Sequence, residues 1–239
     1  CRRGVGANAG SGVRAVYSAM HGVGGRWARR AVEGFGFQFH DADDDSDVRD
    51  GQGYRGSGAH VIAVPQQQEP DPDFPTVAFP NPEEGEGALQ LAFDAASQAG
   101  CHLVLANDPD ADRLAVAERA ATTPQRTGED KAEDEPEGGE WRIFTGNEIG
   151  ALLGDWQWRN HIRGGGGSTA AMLASTVSSK FLGAMAAREG FTFEETLTGF
   201  KWMGSRTEQL RGEGVDVLFA YEEAIGFCIG DLVKDKDGV

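Results

Sequence analysis

Patterns typical of β-strands and of amphipathic helices alternate along most of the 239 residues, and this alternation constrains the fold more than any other feature. Strands that alternate with helices across short loops are typical of α/β layers with mainly parallel sheets. The pattern predicts strands at residues 13–19, 60–64, 101–106, 114–118, 141–144, 172–177 and 215–220, and helices at residues 26–33, 86–98, 146–158 and 178–189.

Two acidic segments interrupt this pattern. Residues 41–58 hold six Asp and two Arg, and residues 124–140 hold seven acids and two bases, so together they carry nine of the sixteen excess negative charges. Neither has apolar periodicity, so both are predicted to be solvated insertions, the second of them disordered. We therefore expect a first domain at residues 1–122, a linker or insertion at 123–140, and a second domain at 141–239.

Composition excludes several function classes. A net charge of −16 disfavours a nucleic-acid coat or a polybasic membrane binder, and no stretch approaches the length of a membrane span. The three cysteines, Cys1, Cys101 and Cys228, form no CxxC pair, which disfavours a zinc ribbon or a disulfide framework and favours the cytoplasm. Because the chain begins at Cys1 and stops at Val239, we expect a fragment.

The clearest chemical motif is an aspartate triad between two predicted strands. In an extended segment Asp108, Asp110 and Asp112 point to one side, and a hard divalent cation such as Mg²⁺ would relieve their repulsion. An EF-hand does not fit, because Arg113 and Arg119 stand where the sixth-position Gly and the twelfth-position Glu belong. A polar surface turn remains the alternative. Arg113 is either a phosphate ligand or a simple neutraliser of the triad.

Six motifs in order are similar to those of the α-D-phosphohexomutase superfamily: MHGVG at 20–24, PDPDFPTVAFPNPEE at 70–84, ANDPDADR at 106–113, ETLTGFKWMG at 195–204, YEEAIGF at 221–227 and KDG at 236–238. Within it, FPNPEE, TGFKWMG and EEAIG resemble most the phosphoglucomutase-2/phosphopentomutase branch, which includes glucose 1,6-bisphosphate synthase. The resemblance covers nearly all of the chain outside the two acidic segments.

The resemblance implies two related three-layer α/β domains with mixed, mainly parallel sheets, taken from a four-domain enzyme. These would be the second, metal-binding domain and the third, sugar-binding domain. The family's phosphoserine loop and its phosphate-binding loop belong to the first and fourth domains, so both would lie outside this chain.

The resemblance also assigns residues in the first of these domains. Asp108, Asp110 and Asp112 correspond to the Mg²⁺ ligands, and Arg113 to the arginine that faces the phosphoryl group. His21 lies in a matching HGV turn, where it either takes part in catalysis or merely shapes the loop.

In the second domain Thr198 and Gly199 correspond to residues that contact the hexose, and Glu222 to the carboxylate that binds two sugar hydroxyls. Lys201 is either a phosphate or sugar contact or a solvated loop lysine, and Lys236 corresponds to a cleft lysine that the resemblance implies would assist proton transfer. Ala224 replaces a serine that many members carry, which leaves room for a pentose.

Two further polar groups in this domain are given no part in catalysis or substrate binding. Glu223 is left without a role, and Ser178 and Ser179 are predicted to cap a helix.

The implied activity is a Mg²⁺-dependent intramolecular phosphotransfer that interconverts a sugar 1-phosphate with its 5- or 6-phosphate, through the phosphoserine and with a sugar bisphosphate as primer and intermediate. The alternatives are a glucose 1,6-bisphosphate synthase of the same branch and an inactive module that binds metal and sugar phosphate. The expected partner is a sugar phosphate, without nucleic acid or membrane, and the sequence does not indicate an oligomeric state.

Overall fold

The computed structural model describes residues 4–41, 49–50, 53–54, 58–84, 86–119, 139–167 and 169–239. Most of the two predicted acidic insertions, residues 41–58 and 123–140, lies outside these ranges. The chain divides into two compact units, one of Cys1–Asp110 with Ala115–Phe144 and the other of Ala111–Leu114 with Thr145–Val239.

The first unit contains eight strands and three α-helices in its described residues: α1 (Val5–Ala9), β1 (Arg14–Ser18), α2 (Gly25–Gly34), β2 (Gln38–His40), β3 (Arg49–Asp50), β4 (Gly53–Tyr54), β5 (His60–Ala63), α3 (Glu86–Ala99), β6 (Leu103–Asn107), β7 (Leu114–Arg119) and β8 (Trp141–Ile143). The proline-rich segment between β5 and α3 forms only short 3₁₀ turns, since proline removes backbone donors.

Six of these strands form one sheet in the order β2-β5-β1-β6-β7-β8. The first four are parallel, and β7 and β8 are antiparallel to each other. Ala15, Tyr17 and Ala19 alternate onto one face, where they pack with Ala28 of α2, while α3 contacts β1 and β6. Because the strands are parallel, the loops that follow β1, β5 and β6 lie at one edge of the sheet.

The second unit has a four-stranded sheet and three helices: α4 (Gly146–Arg163), β9 (Ala170–Ser175), α5 (Phe181–Glu189), β10 (Thr192–Thr196), α6 (Phe200–Gly212), β11 (Asp216–Glu222) and β12 (Gly226–Ile229). The sheet order is β10-β9-β11-β12, with only β12 antiparallel to its neighbour. The predicted α/β fold class, with mixed and mainly parallel sheets, is confirmed.

Helices cover this second sheet because its two central strands, β9 and β11, are buried on both sides along most of their length. Phe200, Met203 and Leu210 of α6 pack with Ala171 and Leu173 of β9. On α4, a Cβ at Gly150 would come within 2.5 Å of the Tyr221 ring, so only glycine permits this helix to lie so close to β11. Among the helices in the described ranges, none is long and apolar enough to cross a membrane.

Some predicted element boundaries were wrong. The helix predicted at 146–158 continues to Arg163, and the one predicted at 178–189 begins at Phe181 with Lys180 in the N-cap position. Ser178 is therefore not a helix cap, whereas the Ser179 hydroxyl accepts a hydrogen bond from the Phe181 amide at 3.2 Å.

Candidate functional site

The loop between β6 and β7 brings the three predicted metal ligands together. One carboxylate oxygen from each of Asp108, Asp110 and Asp112 lies within 4.8 Å of the other two. Asp108 is buried, Asp112 is half-buried and Asp110 is exposed, and Ala111 between them takes the left-handed conformation with φ of 60°. Three carboxylates this close form the all-oxygen donor set that a hard divalent cation prefers, so these residues fit a metal ion.

Buried hydrogen bonds support the start of this loop. The Tyr17 hydroxyl on β1 donates to Oδ1 of Asn107 at 2.7 Å, and Asn107 directly precedes Asp108. Burial raises the pKa of Tyr17, and the negative charge of Asp108 raises it further. Tyr17 therefore remains a neutral hydrogen-bond donor beside the triad.

The turn that contains His21 packs against the same loop. Val23 donates its amide proton to the carbonyl of Pro109 at 2.8 Å, and a Cβ at Gly22 would lie 2.3 Å from that carbonyl oxygen. The His21 ring is buried, with Nε2 2.7 Å from Oγ1 of Thr76, and it lies edge to face with Phe74. His21, a predicted catalytic residue, is therefore buried next to the aspartate loop. This placement suits a residue that shapes the loop.

A cluster of charges forms within the second unit, to which Ala111–Leu114 belong. Nζ of Lys236 lies 3.5 Å from Oδ2 of Asp112 and 3.4 Å from Oε1 of Glu222. Arg113 pairs with Gly226 through a backbone bridge, and its Nε is 3.9 Å from Oδ1 of Asp112. The structure therefore brings four of the predicted charged residues together.

The protonation of Lys236 follows from these contacts. Burial alone would lower the pKa of Lys236, but the charges of Asp112 and Glu222 and the hydrogen bonds to both carboxylates outweigh it and raise the pKa above its ordinary value. The side chain is thus an ammonium at neutral pH, which suits a charge partner or proton donor and not a neutral base.

The predicted sugar-contact loop follows β10. Thr198 and Lys201 are exposed, and Gly199 begins α6 with φ of 106°, a conformation that favours glycine. Since β9, β10 and β11 are parallel, this loop and Glu222 at the end of β11 lie at the same edge of the sheet.

Sequence reasoning missed several polar contacts near these residues. Glu223 accepts hydrogen bonds from the hydroxyls of Ser175 and Ser178, and Asn107 accepts one from Tyr17. The only available signal was position, since Glu223 adjoins Glu222 and Asn107 adjoins Asp108. The partners lie on other elements, far away along the chain, so local patterns could not identify them.

Comparisons with known proteins agree with this architecture. Residues 52–121 match the model of the phosphoglucomutase/phosphomannomutase α/β/α domain II, and residues 145–239 match that of α/β/α domain III. Phosphopentomutase from Mus musculus is 47% identical over 234 residues, which are 96% of this chain and 32% of the relative. Glucose 1,6-bisphosphate synthase from the same organism is 44% identical over 94% of this chain and 31% of its own length.

Solved structures show the same fold at lower identity. The structure of a putative phosphomannomutase from Thermus thermophilus has a TM-score of 0.61 at 20% identity, over 97% of this chain and 40% of that one. The chain spans about a third of the length of the curated relatives it matches, 32% for the phosphopentomutase. The matched domains and relatives together place this chain in the α-D-phosphohexomutase superfamily, as α/β/α domains II and III of the branch that contains phosphopentomutase and glucose 1,6-bisphosphate synthase.

Proposed function

We propose that this chain supplies the metal-binding and sugar-binding domains of a Mg²⁺-dependent sugar phosphomutase, which interconverts a sugar 1-phosphate with its 5- or 6-phosphate. The observation that carries the proposal is the convergence of three carboxylates beside Arg113 in a chain 47% identical to a phosphopentomutase. The phosphoserine that exchanges the phosphoryl group lies outside this chain, and a sugar bisphosphate is both primer and intermediate.

The metal, the phosphate and the charge of the substrate are each bound or stabilised by different residues. Asp108, Asp110 and Asp112 would hold Mg²⁺, which when bound would neutralise charge that develops on the phosphoryl oxygens. The Arg113 guanidinium binds a phosphate through two parallel hydrogen bonds. The Lys236 ammonium adds positive charge next to Asp112, so it stabilises an anionic substrate in an otherwise acidic chain.

Sugar recognition falls to the second unit. Glu222 accepts hydrogen bonds from two neighbouring hydroxyls, which permits the sugar phosphate to bind in either of two orientations. Thr198, Gly199 and Lys201 complete this site from the loop after β10. Ala224 has no hydroxyl group that would need a hydrogen bond from the sugar. A pentose phosphate therefore binds without leaving a hydrogen-bonding group of the site unpaired, and ribose 1-phosphate is the preferred substrate.

A glucose 1,6-bisphosphate synthase is the second candidate, favoured by the relative of that name at 44% identity. Such an enzyme would use a separate phosphoryl donor and release the bisphosphate instead of isomerising it. In either case we propose a cytoplasmic protein, which agrees with free thiols at Cys101 and Cys228.

Replacement of one ligand tests the metal assignment. In the full-length enzyme, Asp110→Ala should abolish metal-dependent phosphoryl transfer and reduce Mn²⁺ affinity. The electron paramagnetic resonance signal of free Mn²⁺ measures that affinity. Since Asp110 is exposed, the melting temperature should change little. Wild-type turnover or wild-type Mn²⁺ affinity in this variant would refute the metal site.

A further inference from the structure

The last residue of β11 and the first residue of the turn to β12 are adjacent glutamates whose carboxylates have different neighbours. Glu222 lies beside Lys236, in the proposed sugar site. Oε2 of Glu223 instead lies 2.8 Å from the hydroxyl of Ser175 and 3.1 Å from that of Ser178. The Glu223 amide also donates to the Ser178 hydroxyl at 3.1 Å, so side chain and backbone are both held.

These contacts join the ends of two neighbouring parallel strands. Ser175 is the last residue of β9, and the two serines are fully and almost fully buried, at 0% and 4% exposure. Their hydroxyls lie 2.7 Å apart. Buried hydroxyls and a half-buried carboxylate are costly to leave unpaired, and each satisfies the others here. We call Glu223, Ser175 and Ser178 the glutamate–serine clamp.

The turn needs such support because its backbone is strained. Ile225 has φ of 49°, a left-handed conformation that β-branched residues strongly disfavour. Its carbonyl accepts a hydrogen bond from Leu114, and Gly146 at the start of α4 lies so close that an added Cβ would be 2.0 Å from the Glu223 carbonyl oxygen. Conformations of this kind persist only where the surroundings enforce them, and they are common at functional sites.

The orientation of Glu222 depends on this turn. Its side chain is 8% exposed and lies against Gly226, where an added Cβ would be 3.1 Å from Oε1. At Ala224, two positions later, no hydroxyl is available to share the sugar contacts. A small rotation of the turn would therefore displace the one carboxylate on which hydroxyl recognition rests.

We propose that Glu223 is a positioning residue: the glutamate–serine clamp holds the strained β11–β12 turn so that Glu222 faces the substrate hydroxyls. The inference rests on the proposed sugar-phosphate function of Glu222. It also explains why two buried serines and an acid meet at the carboxyl ends of β9 and β11.

The test compares Glu223→Gln with Glu189→Gln in the full-length enzyme. Glu189 is a matched control, because it also accepts a side-chain hydrogen bond, from Trp158 at 3.3 Å, but lies on α5. We expect the KM and the calorimetric Kd for ribose 1-phosphate to rise about five- to thirtyfold in Glu223→Gln, with a smaller change in kcat and none in Mn²⁺ affinity. Glu189→Gln should leave all four values unchanged.

A double-mutant cycle separates the clamp from general stability. Ser175→Ala combined with Ser178→Ala should raise KM by a similar factor, and adding Glu223→Gln should raise it little further, because all three act as one unit. An unchanged KM with only a lower melting temperature in Glu223→Gln would overturn the inference. If the wild-type enzyme binds ribose 1-phosphate and glucose 1-phosphate but isomerises neither, the mutase function is refuted and the role of Glu223 is not. If it binds neither sugar phosphate, the mutase function and the role of Glu223 are both refuted.

Discussion

Tyr17 connects the core of the first unit to the aspartate loop by its hydrogen bond to Asn107. Replacement by Phe removes its hydrogen bond to Asn107 and leaves a buried amide oxygen without that donor. We expect Tyr17→Phe to lower the free energy of unfolding by about 1–2 kcal/mol. Mn²⁺ affinity should fall by up to about tenfold, because the adjacent Asp108 is less firmly held.

Tyr221→Phe is the matched control for this variant. Its hydroxyl lies 3.3 Å from Oδ1 of Asn147, so the substitution also removes a tyrosine hydrogen bond to an asparagine, a longer and part-buried one in the second unit. Urea denaturation should show a stability loss for both variants, and a Mn²⁺ titration should show weaker binding for Tyr17→Phe alone. Equal Mn²⁺ affinities for the two variants would contradict the role given to Tyr17.

Glu222 can be tested with a substitution of the same shape. Glu222→Gln replaces an acceptor of two hydroxyl hydrogen bonds by a group that accepts at one end and donates at the other. The Kd for ribose 1-phosphate should rise by at least about tenfold, which corresponds to about 1.4 kcal/mol. Calorimetry would measure it, with Mn²⁺ affinity as the internal reference; an unchanged Kd would remove Glu222 from the sugar site.

At the scale of elements, α4 is placed by contacts at its first residue. Thr145 and Glu148 form a reciprocal capping box, and Gly146 lies against the backbone of the β11–β12 turn. Since a Cβ at Gly146 would be 2.0 Å from the Glu223 carbonyl oxygen, Gly146→Ala must displace either the helix or the turn. We expect a loss of about 2–4 kcal/mol in urea denaturation. Gly212→Ala, with no atom within 4 Å of the new Cβ, should cost little, and equal losses would contradict the account.

An ion pair attaches β10 to α6. Arg206 donates to both carboxylate oxygens of Glu194, at 2.5 and 2.7 Å. The hydrogen bond from Arg206 lowers the pKa of Glu194, against the opposing effect of burial. A lowered folded-state pKa stabilises the protein above the ordinary value of 4.5, and this contribution is lost as the pH falls through the folded-state pKa.

We therefore expect Glu194→Gln to destabilise the protein by about 0.5–1 kcal/mol at pH 7 and by less near pH 3. Glu195→Gln is a more exposed comparison on the same strand, paired with Lys180. Urea denaturation at the two pH values measures the difference, and a destabilisation by Glu194→Gln that did not shrink at pH 3 would contradict the assignment.

The sequence predicted the elements with strong apolar patterns, among them β1, α3, β6, β9 and β11, but not α6. That helix begins just after Gly199 and contains Gly204, which weakened the helical pattern, although its buried positions Phe200, Met203, Thr207 and Leu210 follow helical spacing. β10 has only one strongly apolar residue, Phe193, and was also missed. The aspartate triad could be predicted because its spacing is local, whereas the glutamate–serine clamp forms only after two strands pair.

At the scale of the whole molecule, the chain combines an acidic net charge with two cations beside the aspartate loop. Lys236 and Arg113 accompany Asp112 in the second unit, while the overall charge is −16. Substrate attraction should therefore depend on these two cations and on bound metal, not on a general field. Raising ionic strength from about 0.05 to 0.3 M should increase the KM for a sugar phosphate less than Lys236→Met does, as steady-state kinetics at both salt concentrations would show. A larger increase in KM from salt than from Lys236→Met would contradict the claim that these two cations and the metal attract the substrate.

The most direct test of the central claim is the rate of isomerisation by the full-length enzyme with ribose 1-phosphate and with glucose 1-phosphate, each with and without Mg²⁺ and a sugar bisphosphate primer. The account predicts product 5- or 6-phosphate only when Mg²⁺ is present, a faster rate with the primer, and a higher kcat/KM for ribose 1-phosphate. Accumulation of glucose 1,6-bisphosphate from an added phosphoryl donor, with no isomer formed from either sugar, would contradict the mutase and identify a bisphosphate synthase.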